Sequence, residues 1–237
     1  MTEIAVLELR KAIMRGDLPA GARLIPAKLE EELGLSKTAI REAIRELVGT
    51  GLADSNTHKG AYVGNPIGIE EIRVIFQFRY DLEGQAAALG CQMISDEDLQ
   101  QMVEINQMVE KSDGLMPWDS FFSNQQFHMT LYRASGWQYL TKVITRIYDQ
   151  VLAVRSYLYN QLDETDFSKL LNQAAYKPYH QDHIKIVEAI KNKKPDRTRE
   201  LIVVNLKRGL QSIEDLAEHL AKNKDQQDGI VSQKGQF

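Results

Sequence analysis

The first 66 residues constrain this chain most, because glycines and one capping serine cut them into short amphipathic segments of defined length. Ile4, Leu7, Ala12 and Ile13 recur among charged neighbours and predict a helix over 3–15. The turn-rich stretch Gly16-Asp17-Leu18-Pro19-Ala20-Gly21 breaks it. A second helix is predicted from Pro26, a residue suited to a first helical turn, to Leu33, with Gly34 as its stop. Ser36 caps a third over 37–50, closed by Gly49 and Gly51. Residues 53–63 then read as two short strands around a polar tip. Two helices joined by a tight glycine-containing turn and followed by a hairpin form the pattern of a winged helix-turn-helix. Gly64-Asn65-Pro66 marks the end of this first domain, residues 1–66.

Beyond Ile69 the periodicity is helical throughout, with helices predicted near 69–92, 95–111, 117–134, 137–161, 176–193 and 195–222. Ser95-Asp96-Glu97-Asp98 and Pro117-Trp118-Asp119 supply caps and acidic first turns. Leu140, Ile144, Ile147, Val151, Val154 and Leu158 form one apolar stripe, as a buried helix face requires. Asp163 to Gln173 reads as loop or short helix, and 223–237 as a polar tail. The fold class is therefore mainly α: a winged helix-turn-helix of three helices plus a β-hairpin wing, then an all-α helical bundle over 69–222. At 237 residues, 43% of them hydrophobic, the chain can build real cores. Its single cysteine, Cys91, rules out an internal disulfide and is expected as a small core residue. With neither an apolar leader nor a membrane-length apolar run, a cytoplasmic location and no membrane partner are expected.

Net charge is −4, but the first 66 residues carry nine cations and nine anions, so the acidity lies in the bundle. A neutral domain binds DNA when its cations cluster on one face. The third helix has that arrangement. Ile40, Ala43, Ile44 and Leu47 form its inner stripe, whereas Lys37, Arg41 and Arg45 recur every fourth residue on the outer face. Ser36 and Thr38 stand at its N-terminus, where backbone N–H groups and the helix dipole favour a phosphate. A solvated helix with Arg45 and Arg41 merely balancing Glu46 and Glu42 is the competing reading; the turn and hairpin around it favour recognition of double-stranded DNA.

Three ordered blocks sharpen this: Gly16-Asp17-Leu18-Pro19-Ala20-Gly21-Ala22-Arg23-Leu24, Leu33-Gly34-Leu35-Ser36-Lys37-Thr38-Ala39-Ile40-Arg41-Glu42-Ala43-Ile44, and Gly51-Leu52 leading to Lys59-Gly60. On these, residues 9–64 resemble the winged-helix domain of the GntR family of bacterial regulators. The resemblance implies operator contacts by Ser36, Lys37, Thr38, Arg41 and the wing tip Lys59-Gly60, with Arg45 added here from helical spacing. Position 37 is more often Arg in that family, and Lys lacks the bidentate fork that reads guanine best.

The helical remainder is similar to the FCD ligand-binding domain of the FadR subfamily, through Arg79-Tyr80-Asp81-Leu82-Glu83, Phe127-His128 with Ala134-Ser135-Gly136, and His183 with Ala189-Ile190. That resemblance implies a bundle that binds a small organic acid, often beside a divalent metal of zinc or nickel type. The metal positions correspond to Asn124, His128, His183 and Asn205. Two of the four are amides, weak ligands for such ions, so a metal held by His128 and His183 and a metal-free polar pocket both stand. Arg79 and Glu83 lie four apart on an apolar stripe. Either they pair with each other or with a neighbouring helix, or Arg79 receives an effector carboxylate. Arg155 and Arg208 are further candidates, as are Tyr157, Tyr159, Tyr176 and Tyr179 for a pocket wall. The expected function is a regulator that binds a palindromic operator as a homodimer, modulated by an acid. The first and fourth helices of the second domain are the guessed dimer surface. The rival is a metal-dependent enzyme built on the bundle, which would need a metal-bound water and a general base.

Overall fold

A computed structural model of the 237-residue chain describes residues 1–56, 58, 60–111, 117–163, 165 and 177–234. Its elements run α1 (Thr2–Arg15), α2 (Pro26–Leu33), α3 (Lys37–Thr50), β1 (Ala53–Asn56), β2 (Gly60–Val63), α4 (Ile69–Met93), α5 (Asp96–Lys111), α6 (Pro117–Ala134), α7 (Gln138–Tyr159), α8 (Lys177–Lys191) and α9 (Pro195–Lys234). Within the first 66 residues the predicted boundaries agree to within a residue or so, because each helix is ended by its own chemistry. Gly16, Gly34 and Gly51 adopt φ of 83°, 64° and 81° after α1, α2 and α3, a conformation that costs other residues. The Ser36 hydroxyl accepts from the Ala39 N–H at 3.3 Å and closes the start of α3.

Strands β1 and β2 pair antiparallel, Ala53 opposite Val63 and Asn56 opposite Gly60. The wing has an unpredicted third edge. The Leu24 N–H donates to the Ala61 carbonyl and the Val63 N–H to that of Ala22, so the end of the first turn-rich block lines β2. Leu9, Ile13, Ile40, Ala43, Leu47 and Leu52 fill the core beneath.

The bundle core forms between α4, α5, α6, α8 and α9, around Phe127, Leu131, Tyr132, Met102, Ile186 and Ile202, with Cys91 buried among them. At Gly90 helix α4 lies close against α6: a Cβ there would stand 2.1 Å from the Leu131 carbonyl oxygen. The final helix passes its expected end at 222 and continues to Lys234. The stretch just past 222 is polar, and polarity alone does not stop a helix. Residues 164 and 166–173 of the segment left as loop or short helix lie outside the described residues.

Helix α7 departs most from expectation. In place of one buried stripe, it buries Ile144, Tyr148, Asp149, Val151, Leu152, Ala153, Val154, Ser156 and Leu158, nearly all the way round. The reason is that the first domain docks on it. Leu152 and Ala153 belong to the winged-helix core, while Val151, Val154 and Leu158 pack with Ile72, Phe76 and Ile213. Polar contacts fix the junction. The Ser156 hydroxyl donates to the Ile13 carbonyl at 2.6 Å, Arg10 pairs with buried Asp149 at 2.8 Å, and the Gln150 amide reaches the Thr50 carbonyl at 3.4 Å.

Candidate DNA interface and effector cavity

On α3 the apolar stripe Ala39, Ile40, Ala43, Ile44 and Leu47 is buried, leaving Ser36, Lys37, Thr38, Arg41 and Arg45 exposed on the opposite side. The Lys37 N–H donates to the Glu30 carboxylate at 3.2 Å, which ties the start of α3 to α2. Arg45 is engaged by Glu42 one turn back. Such an exposed pair is worth little, so a phosphate can displace it. Gly60 sits exposed at the wing with φ of 76°, and Lys59 lies outside the described residues.

In the bundle, Arg79 and Glu83 are buried and bonded to each other, as the pairing reading expected. Glu83 also accepts from the Tyr132 hydroxyl at 2.8 Å, and the Arg79 guanidinium lies over Phe76 and Tyr148 at 4.5 and 4.7 Å. Burial opposes the charge on Arg79, but Glu83 together with Tyr148 and Tyr132 outweighs it and holds the guanidinium protonated. Burial, with Glu83 adding to it, pushes the Tyr132 and Tyr148 hydroxyls up. Its own helix therefore already supplies a carboxylate to Arg79.

Arg79, Asn124, His128, Arg155 and Asn205 come together from α4, α6, α7 and α9 around a cavity of about 40 Å³, closed by Phe76, Phe121, Tyr148 and Gly209. His183 of α8 stands beside it, its ring stacked on Phe127 at 3.9 Å and its Nε2 bonded to the Asn124 amide oxygen at 3.1 Å. Arg155 is held by the Tyr159 hydroxyl at 3.2 Å and the Gly209 carbonyl at 3.1 Å. Burial, then the nearby Arg79 charge, lowers the His128 pKa to about 3, so its ring is neutral. Asn205 lies near enough to act on that ring, yet His128 Nε2 and Asn205 Nδ2 make no good hydrogen bond to any neighbour. Arg208 does not line the cavity and instead binds Asp182 at 2.9 Å. Tyr157 is exposed, Tyr159 braces Arg155, Tyr176 lies outside the described residues, and the side chain of Tyr179 is not described.

The residues present do not suit a divalent metal. Among the described residues no group of three or more His, Cys, Asp or Glu converges. The Asn124 oxygen is already taken by His183, and neither amide brings negative charge. The sequence reading missed Asp149, Gln150 and Ser156, which couple the domains. Their only signal was polarity inside an apolar run.

A helix with an exposed cationic face, borne by a winged helix that is docked on a helical bundle, is the build of a two-domain transcription regulator. Residues 2–63 match the bacterial regulatory proteins of the gntR family and 74–208 match the FCD domain, and the chain belongs to that family of regulators. It is similar to the HTH-type transcriptional regulator McbR of Escherichia coli, 27% identical over 160 residues, 67% of this chain and 72% of that protein. The Nta operon transcriptional regulator of Aminobacter aminovorans is 19% identical over 81% of this chain and 85% of its own. Among solved structures, E. coli McbR/YncC superposes with a TM-score of 0.72 at 22% identity, covering 90% of this chain and 97% of that one, and shares the fold.

Proposed function

We propose that the protein represses transcription as a homodimer on a palindromic double-stranded DNA operator, and that a small organic acid entering the cavity releases it. The observation that carries this reading is the double use of α7. Tyr148, Val151 and Arg155 face the cavity, while Asp149, Leu152 and Ser156, beside them in the chain, grip the winged helix. A shift of the α7 backbone at Arg155 carries Ser156 with it, and Ser156 is bonded to the carbonyl of Ile13 at the end of α1. A cavity of about 40 Å³ has room for water, at roughly 10–15 Å³ per molecule, and not for a whole acid. Entry of an effector therefore has to move α7 or its neighbours, which is how differential binding biases one state over another. Val74 and Phe78, one turn apart and exposed on α4, support that helix as part of the dimer surface. The enzyme reading finds little support: among the described residues no Asp or Glu lines the cavity, and Glu83 is spent on Arg79 and Tyr132.

Footprinting on DNA upstream of its own gene tests the first half. Protection in two half-sites about one helical turn apart is expected. Sequence-independent binding, or protection unchanged by Arg41→Ala, refutes it. Release of that DNA by an acid, lost in Arg155→Ala, tests the second.

A further inference from the structure

The C-terminal half of α3 meets the middle of α7 through consecutive residues of α7. At Gly51, which ends α3, the two come so close that a Cβ would stand 2.6 Å from Gln150 Nε2, and the same amide reaches the Thr50 carbonyl. One turn before Thr50 on α3 is Glu46, and beside Gln150 on α7 is Asp149. Between these two carboxylates stands one guanidinium, that of Arg10 on α1. Its Nη2 lies 2.8 Å from Asp149 and 3.9 Å from Glu46. Asp149 therefore holds the hydrogen bond, while Glu46 is a second anion within ion-pair reach of the same nitrogen.

The bond to Asp149 is one-pronged. Arg10 Nε and Asp149 Oδ1 are both buried and without a hydrogen-bond partner, so the parallel fork by which arginine grips a carboxylate most firmly is not formed. Glu46 is 48% exposed and Asp149 only 1%, so solvent weakens the pull of the first far more than that of the second. The outcome depends on distance. A withdrawal of α7 from α1 by about 1 Å brings the two carboxylates level at Nη2, and any further withdrawal leaves Glu46 the nearer.

We propose that Arg10 is a positioning residue for DNA recognition: it passes between Asp149 of α7 and Glu46 of α3, and so ties the aim of α3 to the position of α7. With Arg10 on Asp149, the winged helix is fixed on the bundle and two half-sites are met at a set spacing. With Arg10 on Glu46, the charge is satisfied inside the winged helix and that tie to the bundle is gone. Loosening lowers the effective concentration of the second winged helix at its half-site, whereas binding to DNA of any sequence rests on phosphate contacts and does not need the spacing. The proposal rests on the reading of α3 as the DNA-contacting helix, and is independent of what the cavity binds.

The test uses the full chain with two probes, the upstream fragment protected in footprinting and a mixed-sequence duplex of equal length. Asp149→Asn keeps the shape and removes the charge. It is expected to lower the ratio of the two affinities about tenfold, with binding to the mixed duplex and its salt dependence unchanged. Glu46→Gln, at an exposed partner, is expected to hold the ratio within about twofold. Arg10→Lys keeps the charge and one donor, and is expected to fold and to hold the ratio as well. Thermal unfolding supplies a readout without DNA: because Glu46 takes up Arg10 once Asp149 is neutral, Asp149→Asn with Glu46→Gln is expected to lose more stability than the two single losses added. Additive losses overturn the exchange between carboxylates, and so does an Arg10→Lys ratio as low as that of Asp149→Asn. An unchanged ratio in Asp149→Asn overturns the positioning role, even where its melting temperature falls. Fragment binding unchanged by Arg41→Ala overturns instead the underlying reading of α3, and with it the positioning role, while the unfolding comparison still decides whether Arg10 is shared.

Discussion

The buried pair of Arg79 and Glu83 permits a sharp energetic test. Both side chains are almost wholly withdrawn from water, at 4% and 0% exposure, so each depends on the other for compensation. Replacing Glu83 by Leu strands the guanidinium and leaves the Tyr132 hydroxyl without its acceptor. Breaking a buried pair from one side costs about 3–5 kcal/mol, and the orphaned hydroxyl lies within that same non-additive loss. At about 2–4 °C per kcal/mol for a chain of this size, the melting temperature should fall by roughly 6–20 °C. Replacing both partners, Arg79→Met with Glu83→Leu, removes both desolvation penalties. Flanked by Phe76 and Tyr148, the new apolar pair should recover most of the loss, to within about 2 kcal/mol of the native chain. Urea unfolding of the native chain, both single variants and the double variant closes the cycle. A Glu83→Leu loss under about 1 kcal/mol, or a double variant no more stable than the worse single one, would refute the assignment of compensating buried charges.

Other measurements probe other parts of the molecule. His128 has a folded pKa near 3 against an ordinary 6.5, so its neutral form stabilises the fold fully above pH 6.5. That stabilisation is lost as pH falls from 6.5 toward 3, at up to about 1.4 kcal/mol per unit, and a His128→Phe variant should show a correspondingly flatter acid limb in urea titrations. Gly90→Ala places a methyl on the Leu131 carbonyl oxygen and should destabilise by about 1–3 kcal/mol or more through overpacking; a neutral result in calorimetry would contradict the close approach of α4 and α6. Arg41→Ala should weaken operator binding and reduce the salt slope by about one counterion, whereas Arg45→Ala, already engaged by Glu42, should do less. Ser156→Ala removes the hydroxyl held by the Ile13 carbonyl and should leave acid binding intact while weakening the effect of the acid on DNA affinity, measured as the ratio of DNA affinities with and without it.

What the sequence alone determined here is whatever is decided locally. The three glycine stops, the Ser36 cap and the four-residue spacing of Lys37, Arg41 and Arg45 act within one or two helical turns, so α1 to α3 and their exposed cationic face are legible residue by residue. The inward direction of Arg79, Glu83, His128 and His183 follows from helical periodicity in the same way. Partners are another matter, because residues distant in the chain must meet. Only the tertiary structure decided that Arg79 is spent on Glu83 in a network closed by Tyr132, that Arg208 turns away to Asp182, and that His183 takes up the oxygen of Asn124. It alone decided that α7 is buried on two sides. A periodic stripe reports that a helix has an apolar face, but the second face of α7 is covered by a domain a hundred or more residues earlier, through Arg10, Ile13 and Thr50. That docking is invisible to any window of sequence, and it is what sets the cavity and the recognition helix within reach of each other.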